Sequence, residues 1–236
     1  MSSLSAVRNA ARFVLEAVAE PGHLNILILN AGLVFAQSGG TTAEGYEPHM
    51  GVNYMANALL IRMLLPALKR APGRNGRVVL VSSIAARLAW LGLETGPPDP
   101  AKFKDAKTPI GRSYARSKVA GVLYAIELAK RNQDDLTVLV IHPGIVDTPG
   151  TAKASLLHRT VLYIFGLLLY GGYTTPEDGC KNYLWACMAK RETVESGGFY
   201  GPVGRREKGT WHDGNEAARK VLWEWTEREV EVYAEV

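Results

Sequence analysis

Tyr114 and Lys118 are the two side chains of this sequence whose types and spacing most directly suggest chemistry. They stand four residues apart in Ser113–Gly121, a stretch that predicts a helix. On a helix, both side chains fall on one face roughly 6 Å apart. A free phenol has a pKa near ~10, and a neighbouring ammonium group favours the phenolate and lowers that pKa. The pair is therefore suited to proton transfer. An exposed helix that simply carries one tyrosine and one lysine is the alternative.

Two short apolar stretches flank this helix in the sequence. Gly76–Val81 is followed by Ser82 and Ser83, and Leu136–Ile141 is followed shortly by Pro143-Gly144. Both stretches predict buried strands because they are apolar, β-branched and bounded by turn residues. Ligands of open α/β sheets bind beyond the carboxyl ends of the strands, so the serines and the Pro-Gly turn are expected at one ligand site. Ser83 is the expected serine of this site, with Ser82 as the alternative if the strand end is shifted by one residue.

Two asparagine motifs complete an ordered set. Asn30-Ala31-Gly32 follows the apolar run Asn25–Leu29, and Gly51-Val52-Asn53-Tyr54 lies inside a long helix predicted over 41–70. Each has a simpler alternative, namely a plain turn and an asparagine on a solvated helix face. Taken in order, the five motifs resemble the short-chain dehydrogenase/reductase family, in its retinol-dehydrogenase-like branch.

The resemblance implies a role for each residue of the set. Tyr114 donates or removes the proton, Lys118 lowers its pKa and contacts the nicotinamide ribose, and Ser83 hydrogen-bonds to the substrate oxygen. Asn53 holds a water of the proton relay and kinks its helix. NADP(H) is the favoured cofactor and NAD(H) the alternative. The implied cofactor-binding residues are Asn30, Tyr114, Lys118, Pro143, Gly144, Val146 and Thr148.

The same resemblance implies an α/β fold, with a Rossmann-type parallel sheet and helices on both faces, in a single domain over residues 1–236. The family's Thr-Gly-x-x-x-Gly-x-Gly turn, which precedes the helix that binds the pyrophosphate, does not occur in this sequence. We therefore expect an N-terminally truncated domain with family strands 4-5-6-7, in which Asn25–Leu29 becomes an exposed edge. A partner chain over that edge, poor stability and an incomplete sequence are the three explanations, of which we favour the last.

Three further segments carry expectations. Residues 90–109 predict a polar loop, similar to insertions in the retinol-dehydrogenase-like branch, which either walls the substrate pocket or is a plain surface excursion. The apolar run Val161–Tyr170 is too short to span a bilayer. It predicts a buried helix, a lipid-facing patch or a lid over an apolar substrate. Residues 213–230 predict a closing helix that packs on the sheet.

Composition argues against several other classes of protein. The sequence has 27 Lys and Arg against 23 Asp and Glu, and they are scattered, so we predict no nucleic-acid interface. Cys180 and Cys187 are seven residues apart on one predicted helix, too far to form a disulfide, which fits a reducing compartment. The histidines show no metal-ligand spacing, and we predict no metal site. We also predict no signal peptide and no transmembrane segment, hence a cytoplasmic protein, with peripheral membrane association as an open alternative.

Two functions follow from these observations. The first is an NAD(P)(H)-dependent oxidoreductase that interconverts a carbonyl and an alcohol on a small lipophilic molecule, such as a polyketide, terpenoid, steroid or retinoid. The second is a catalytically inactive relative that acts as a binding or regulatory partner, because the pyrophosphate-binding turn is missing. Family members often associate through the Tyr-Lys helix, so the resemblance is compatible with a homo-oligomer.

Overall fold

The computed structural model describes residues 3–34, 39–91, 96–146, 167, 172 and 174–234. In this part of the chain, five strands form one sheet in sequence order, and the first four run parallel. The fifth is antiparallel to the fourth and was not expected from the sequence. The strands are β1 Ile26–Leu29, β2 Gly76–Val81, β3 Leu136–Ile141, β4 Phe199–Gly201 and β5 Arg205–Glu207.

Six α-helices are described around this sheet. A π-helix, Met50–Met55, leads directly into the second of them. The helices are α1 Leu4–Ala17, α2 Ala56–Lys69, α3 Ile84–Arg87, α4 Ile110–Arg131, α5 Pro176–Met188 and α6 Glu216–Ala234.

The central strands are buried and mostly apolar because helices cover both faces of the sheet, with Arg77 and Thr137 as their polar residues. Alternate side chains of β2 point to opposite faces, as the pleat requires. Val78 and Leu80 belong to the larger apolar cluster, together with residues of α1, α2, α4 and α6. Val79 and Val81 belong to a second cluster, together with Ala186 of α5. The α/β fold with helices on both faces is as predicted.

Helix α6 does not pack on the sheet, in contrast to the prediction. It lies against α2 and α4, which already cover that face of the sheet. The ring of Trp223 stacks on Tyr124 of α4 with the centroids 4.7 Å apart, and Leu222 is buried between the helices. The apolar side of α6 therefore adds a second helical layer.

Two boundaries also differ from the predictions. The long helix begins at residue 48 rather than 41. The described part of the 90–109 segment is more than a surface excursion, because Phe103 is fully buried and packs edge-on against Tyr54 and Trp225. This aromatic anchor ties the segment to the core beside α6.

Among the described residues, Met50–Lys69 is long and apolar enough to cross a membrane by length and composition alone. Within its most apolar window, 72% of the residues are buried inside the fold. Core helices pass the same test, so this is weak evidence for a membrane span.

Candidate active site

Ser83 lies where β2 ends and α3 begins. Its hydroxyl oxygen accepts a hydrogen bond from the Ala85 amide at 3.2 Å, which makes it the N-cap of α3 and fixes its side chain. The same side chain hydrogen-bonds to the Tyr114 phenol and favours its ionised form. Ser82, the alternative, has a buried hydroxyl with no hydrogen-bond partner among the described residues. The structure thus brings Ser83, and not Ser82, to Tyr114.

Lys118 lies beneath the Tyr114 ring, one turn further along α4. Its ammonium nitrogen is 5.8 Å from the ring centroid and donates a hydrogen bond to the Val81 carbonyl at 2.9 Å. The residue is 8% exposed, and this burial lowers its pKa from 10.5 to about 8. The ammonium group is consequently poised to lose its proton only slightly above neutral pH.

The pKa of Tyr114 differs in direction from the prediction. Burial raises this pKa above 10.0, and the hydrogen bond from Ser83 offsets the rise only in part. The four-residue spacing to Lys118 does give proximity. However, the lysine is itself buried and directed to the Val81 carbonyl, so desolvation of the phenolate dominates. Tyr114 is therefore a neutral phenol at neutral pH.

Asn53 is buried in the π-helix, which excludes the solvated-face alternative. Its amide oxygen accepts from the Leu33 N–H at 2.7 Å, and its amide nitrogen donates to the Leu33 carbonyl at 2.9 Å. The amide nitrogen also lies 3.1 Å from the Ser117 hydroxyl. This side chain clamps the loop after β1 onto the helix. A Cβ at Gly32 would lie 2.9 Å from the Asn53 amide oxygen, so the glycine makes this approach feasible.

Three of the residues expected to contact a cofactor lie in a groove at the carboxyl ends of β1 and β3. Asn30, Pro143 and Val146 line it, and its volume is about 570 Å³. Gly144 turns the chain there with φ of +86°, a conformation that favours glycine. Thr148 and nearly all of Val161–Tyr170 lie outside the described residues, so their expected roles stay predictions.

Helix α5 contributes to the groove, which the sequence analysis missed. Tyr183 donates a hydrogen bond to the Asn30 amide oxygen at 2.8 Å, and Leu184 lines the apolar wall. Burial raises the pKa of Tyr183 to about 12, and the nearby Tyr114 phenol adds to the rise. Tyr183 is therefore a polar group of the groove wall that lies near enough to Tyr114 for the two phenols to influence each other. The sequence offered little signal for this beyond a tyrosine and a leucine on a helix following the Pro-Gly turn.

Comparisons with known proteins agree with this geometry. The family model of the short chain dehydrogenases matches residues 2–94. A short-chain dehydrogenase/reductase of Phomopsis amygdali is 30% identical over 252 aligned residues, covering 99% of this chain and 72% of the relative. The chain belongs to the short-chain dehydrogenase/reductase family. It is an enzyme of that type, and its general activity is oxidoreduction.

A second relative places the chain near the retinol-dehydrogenase-like branch of the family, as predicted. Human retinol dehydrogenase 11 is 31% identical over 198 residues, which is 84% of this chain and 58% of that enzyme. The chain thus spans little more than half of this relative. The four residues predicted as the catalytic set, Ser83, Tyr114, Lys118 and Asn53, all lie within the described part of the chain.

Solved structures support the Rossmann-type fold. The 3-alpha-hydroxysteroid dehydrogenase from Pseudomonas sp. B-0831, complexed with NADH, superposes with a TM-score of 0.69 and 22% identity, over 92% of this chain and 83% of that chain. The NADPH-bound carbonyl reductase from chicken fatty liver gives a TM-score of 0.61 and 20% identity, over 89% and 74%. At these identities the likeness concerns the fold.

Proposed function

We propose that this chain is an NAD(P)(H)-dependent oxidoreductase that interconverts a carbonyl and an alcohol on a small lipophilic molecule. The observation that supports this most strongly is the meeting of two hydroxyls at the end of β2. Ser83 and Tyr114 are hydrogen-bonded there, and the Lys118 ammonium lies 5.8 Å from the centre of the phenol ring. A proton donor, a polarising hydroxyl and a nearby cation are what a developing alkoxide requires.

Each residue has a defined task in the reducing direction. Tyr114, kept neutral by its raised pKa, gives its phenolic proton to the substrate oxygen as negative charge develops on it. Ser83 donates a hydrogen bond to the same oxygen. Lys118, with its pKa of about 8, is an ammonium ion at neutral pH and stabilises the resulting phenolate. Asn53 holds the adjoining loop in place, and its part in a water-mediated relay stays a prediction.

The groove near these residues fits part of a dinucleotide. Its size is in the range of small-molecule sites, and Asn30 and Tyr183 place polar groups among apolar walls. A nicotinamide cofactor would supply the hydride. We favour NADP(H), with NAD(H) as the alternative, since structural neighbours bind NADPH or NADH. The sequence holds no Gly-rich turn for the pyrophosphate, so the residues present fit only a part of the cofactor.

A lipophilic substrate is proposed from the sequence. Val161–Tyr170 is an apolar run shortly after the Pro-Gly turn, where the resemblance places the substrate-binding segment of the family. The relationship to a retinol dehydrogenase is consistent with this class of substrate.

Nucleotide titration tests the proposal directly. NADPH and NADH are added separately to the purified chain, and nucleotide fluorescence and the melting temperature are followed. Retinal is then added as the probe substrate, and NADPH oxidation is recorded for the wild type and Tyr114→Phe. We expect saturable binding by both proteins and turnover by the wild type alone, because the phenylalanine lacks the proton.

The same titration also tests the second function, that of a catalytically inactive binding or regulatory partner. A folded chain that binds neither nucleotide would contradict the enzyme proposal for this sequence and would favour a binding or regulatory role. Equal turnover by the wild type and Tyr114→Phe would show that another residue provides the proton.

A further inference from the structure

A buried histidine and glutamate stand behind Tyr114 and have no part in the proposed chemistry. His49 is fully buried, and its ring lies edge-on to Tyr114, with the centroids 5.9 Å apart and the planes at 74°. Glu47 is 5% exposed and lies two residues earlier, at the start of the same helical segment. Buried ionisable pairs of this kind are costly to bury unless their hydrogen bonds are satisfied.

The hydrogen bonds of this pair are satisfied on both sides. His49 Nε2 is 3.1 Å from the Val34 carbonyl, which can only accept, so this nitrogen carries a proton. His49 Nδ1 is 2.7 Å from a carboxylate oxygen of Glu47, and the two atoms share a second proton. The other oxygen of Glu47 accepts from the Met50 N–H at 3.1 Å. Each polar side-chain atom of the pair therefore has a hydrogen-bond partner.

The pair fixes the loop that follows β1. His49 holds the Val34 carbonyl, and Asn53 clamps both the N–H and the carbonyl of Leu33. Two successive loop residues are thus tied to one face of the helical segment. The His49 ring thus contacts both this loop and Tyr114.

We propose that Glu47 and His49 are positioning residues, which fix the ring of Tyr114 through the edge-on contact of the His49 ring. This inference rests on the proposed role of Tyr114 as the proton donor. A phenylalanine at position 49 would fill the same space without buried polar atoms. The polar pair additionally fixes the orientation of the His49 ring, because its two hydrogen bonds permit one orientation of the imidazole against the phenol.

Three substitutions separate orientation from simple packing. His49→Phe keeps a ring against Tyr114 but loses both hydrogen bonds, whereas His49→Gln keeps a donor for the Val34 carbonyl. Glu47→Gln keeps one acceptor for the histidine or for the Met50 N–H. Near-UV circular dichroism and melting temperature establish which variants are folded, and any folded variant serves the test.

The readout is the phenol of Tyr114 itself in the chain without nucleotide. Tyrosine labelled with ¹³C at Cζ reports the titration of each phenol, and Tyr114→Phe assigns the signal. Among the described residues, the polar groups near this phenol are Ser83, Lys118, Tyr183 and His49, with Glu47 behind the histidine. We expect His49→Phe to move the midpoint upward by about half a pH unit or more, since an apolar ring disfavours the phenolate and the neighbouring carboxylate loses its partner.

Turnover of retinal with NADPH provides a second readout. We expect kcat to fall by about tenfold or more in His49→Phe with little change in KM, and to recover in part in His49→Gln, because the lost interaction orients the reacting group. An unchanged Tyr114 titration in folded variants would overturn the inference. The titration needs no cofactor, so it tests this inference even if the chain shows no activity with NADPH.

Discussion

Lys118 carries a buried charge that destabilises the fold in order to serve the site. Its pKa falls from 10.5 to about 8 on burial, a shift of 2.5 units that corresponds to a cost on the order of 3 kcal/mol for the charged form. Below pH 8 the folded chain bears this cost. Between pH 8 and 10.5 the folded lysine is neutral while the unfolded one is still protonated, so this group makes stability rise with pH.

Lys118→Met should therefore stabilise the chain at neutral pH. We expect a gain of about 2 kcal/mol at pH 7, since the lost hydrogen bond to the Val81 carbonyl offsets part of the benefit. The gain should shrink as the pH rises from 8 to 10. Urea unfolding across this range measures it, with the exposed Lys190→Met as control. A pH-independent difference would contradict the assignment of the cost to the charge.

Gly32 is the residue that admits the Asn53 clamp, which gives a second prediction. In Gly32→Ala the new Cβ would lie 2.9 Å from the Asn53 amide oxygen and 3.7 Å from the Lys118 nitrogen. We expect a loss of about 1–3 kcal/mol in urea unfolding, because the amide must give up its bonds to the loop. Gly96→Ala is the matched control, since a Cβ there meets nothing within 4 Å. Equal losses in the two variants would disprove the clamp.

Residue spacing predicted which side chains meet but not how they titrate. The four-residue step between Tyr114 and Lys118 requires only helical geometry, and the structure has it. The direction of the pKa shift of Tyr114 depends on burial by residues distant in sequence, such as His49, which no local pattern reveals. The partners of Asn53 were missed for the same reason.

At the scale of elements, Glu207 of β5 joins its own strand to α3 and to the residue that follows β3. It pairs with Arg87 of α3, with Arg205 of its own strand and with the His142 ring just before the Pro-Gly turn. Burial raises its pKa, but the hydrogen bonds from His142 and Arg205 and the charge of Arg87 outweigh burial and lower the pKa from 4.5 to about 2. The side chain is 6% exposed, so solvent screens these interactions little.

Glu207→Gln should lower the free energy of unfolding at neutral pH, and the loss should become smaller in acid. A carboxylate with a lowered pKa stabilises the fold above its unfolded value near 4.5, and this contribution is lost as the pH falls towards 2. We expect a deficit on the order of 3 kcal/mol at pH 7 that narrows below pH 4.5. Urea unfolding at pH 7 and pH 3 measures it.

Glu216→Gln provides the control for this prediction. Its carboxylate pairs with Lys130 and Lys220 but is half exposed, so solvent screening leaves it a smaller effect. If both variants lost the same free energy of unfolding, the ion pairs of Glu207 between α3 and β5 would stabilise the fold no more than an exposed ion pair does.

The sequence predicted those strands that are buried on both faces of the sheet. β2 and β3 are apolar on both faces because helices cover both, and the pattern predicted them as strands. Strand β5, Arg205–Glu207, has no apolar side chain, and only its pairing with β4 defines it. The neighbours of Phe103 in the sequence are mostly polar, so no local pattern predicted its burial. Its packing partners, Tyr54 and Trp225, are distant in sequence.

At the scale of the whole molecule, α6 covers one face of α4, the helix through which the resemblance implied that subunits associate. Tyr124 of α4 is 2% exposed, stacks on Trp223 and donates a hydrogen bond to Glu227 at 2.7 Å. We expect Tyr124→Phe to lose about 1–3 kcal/mol of stability, because the bond to a charged acceptor is removed while the ring packing stays. Sedimentation velocity should show the same oligomeric state for both proteins. A changed state would indicate that this surface joins subunits.

In the described part of the chain, strand β1 is an exposed edge of the sheet. In the described sheet β1 pairs only with β2, and Ile26 and Ile28 are 38% and 44% exposed. An apolar strand with unpaired backbone groups is a template for association with another chain. The sequence predicted this edge from the strand order implied by the resemblance.

Ile26→Lys should reduce that association without harm to the site. Ile26 does not line the groove, and a surface substitution of this kind changes stability by about 0.5 kcal/mol or less. We expect slower growth of light scattering at 37 °C, because a charge on the strand opposes pairing with a second chain. Val232→Lys, at an exposed apolar residue of α6, is the control. If both substitutions slowed aggregation equally, general surface charge would be the cause, and the edge would have no particular part in it.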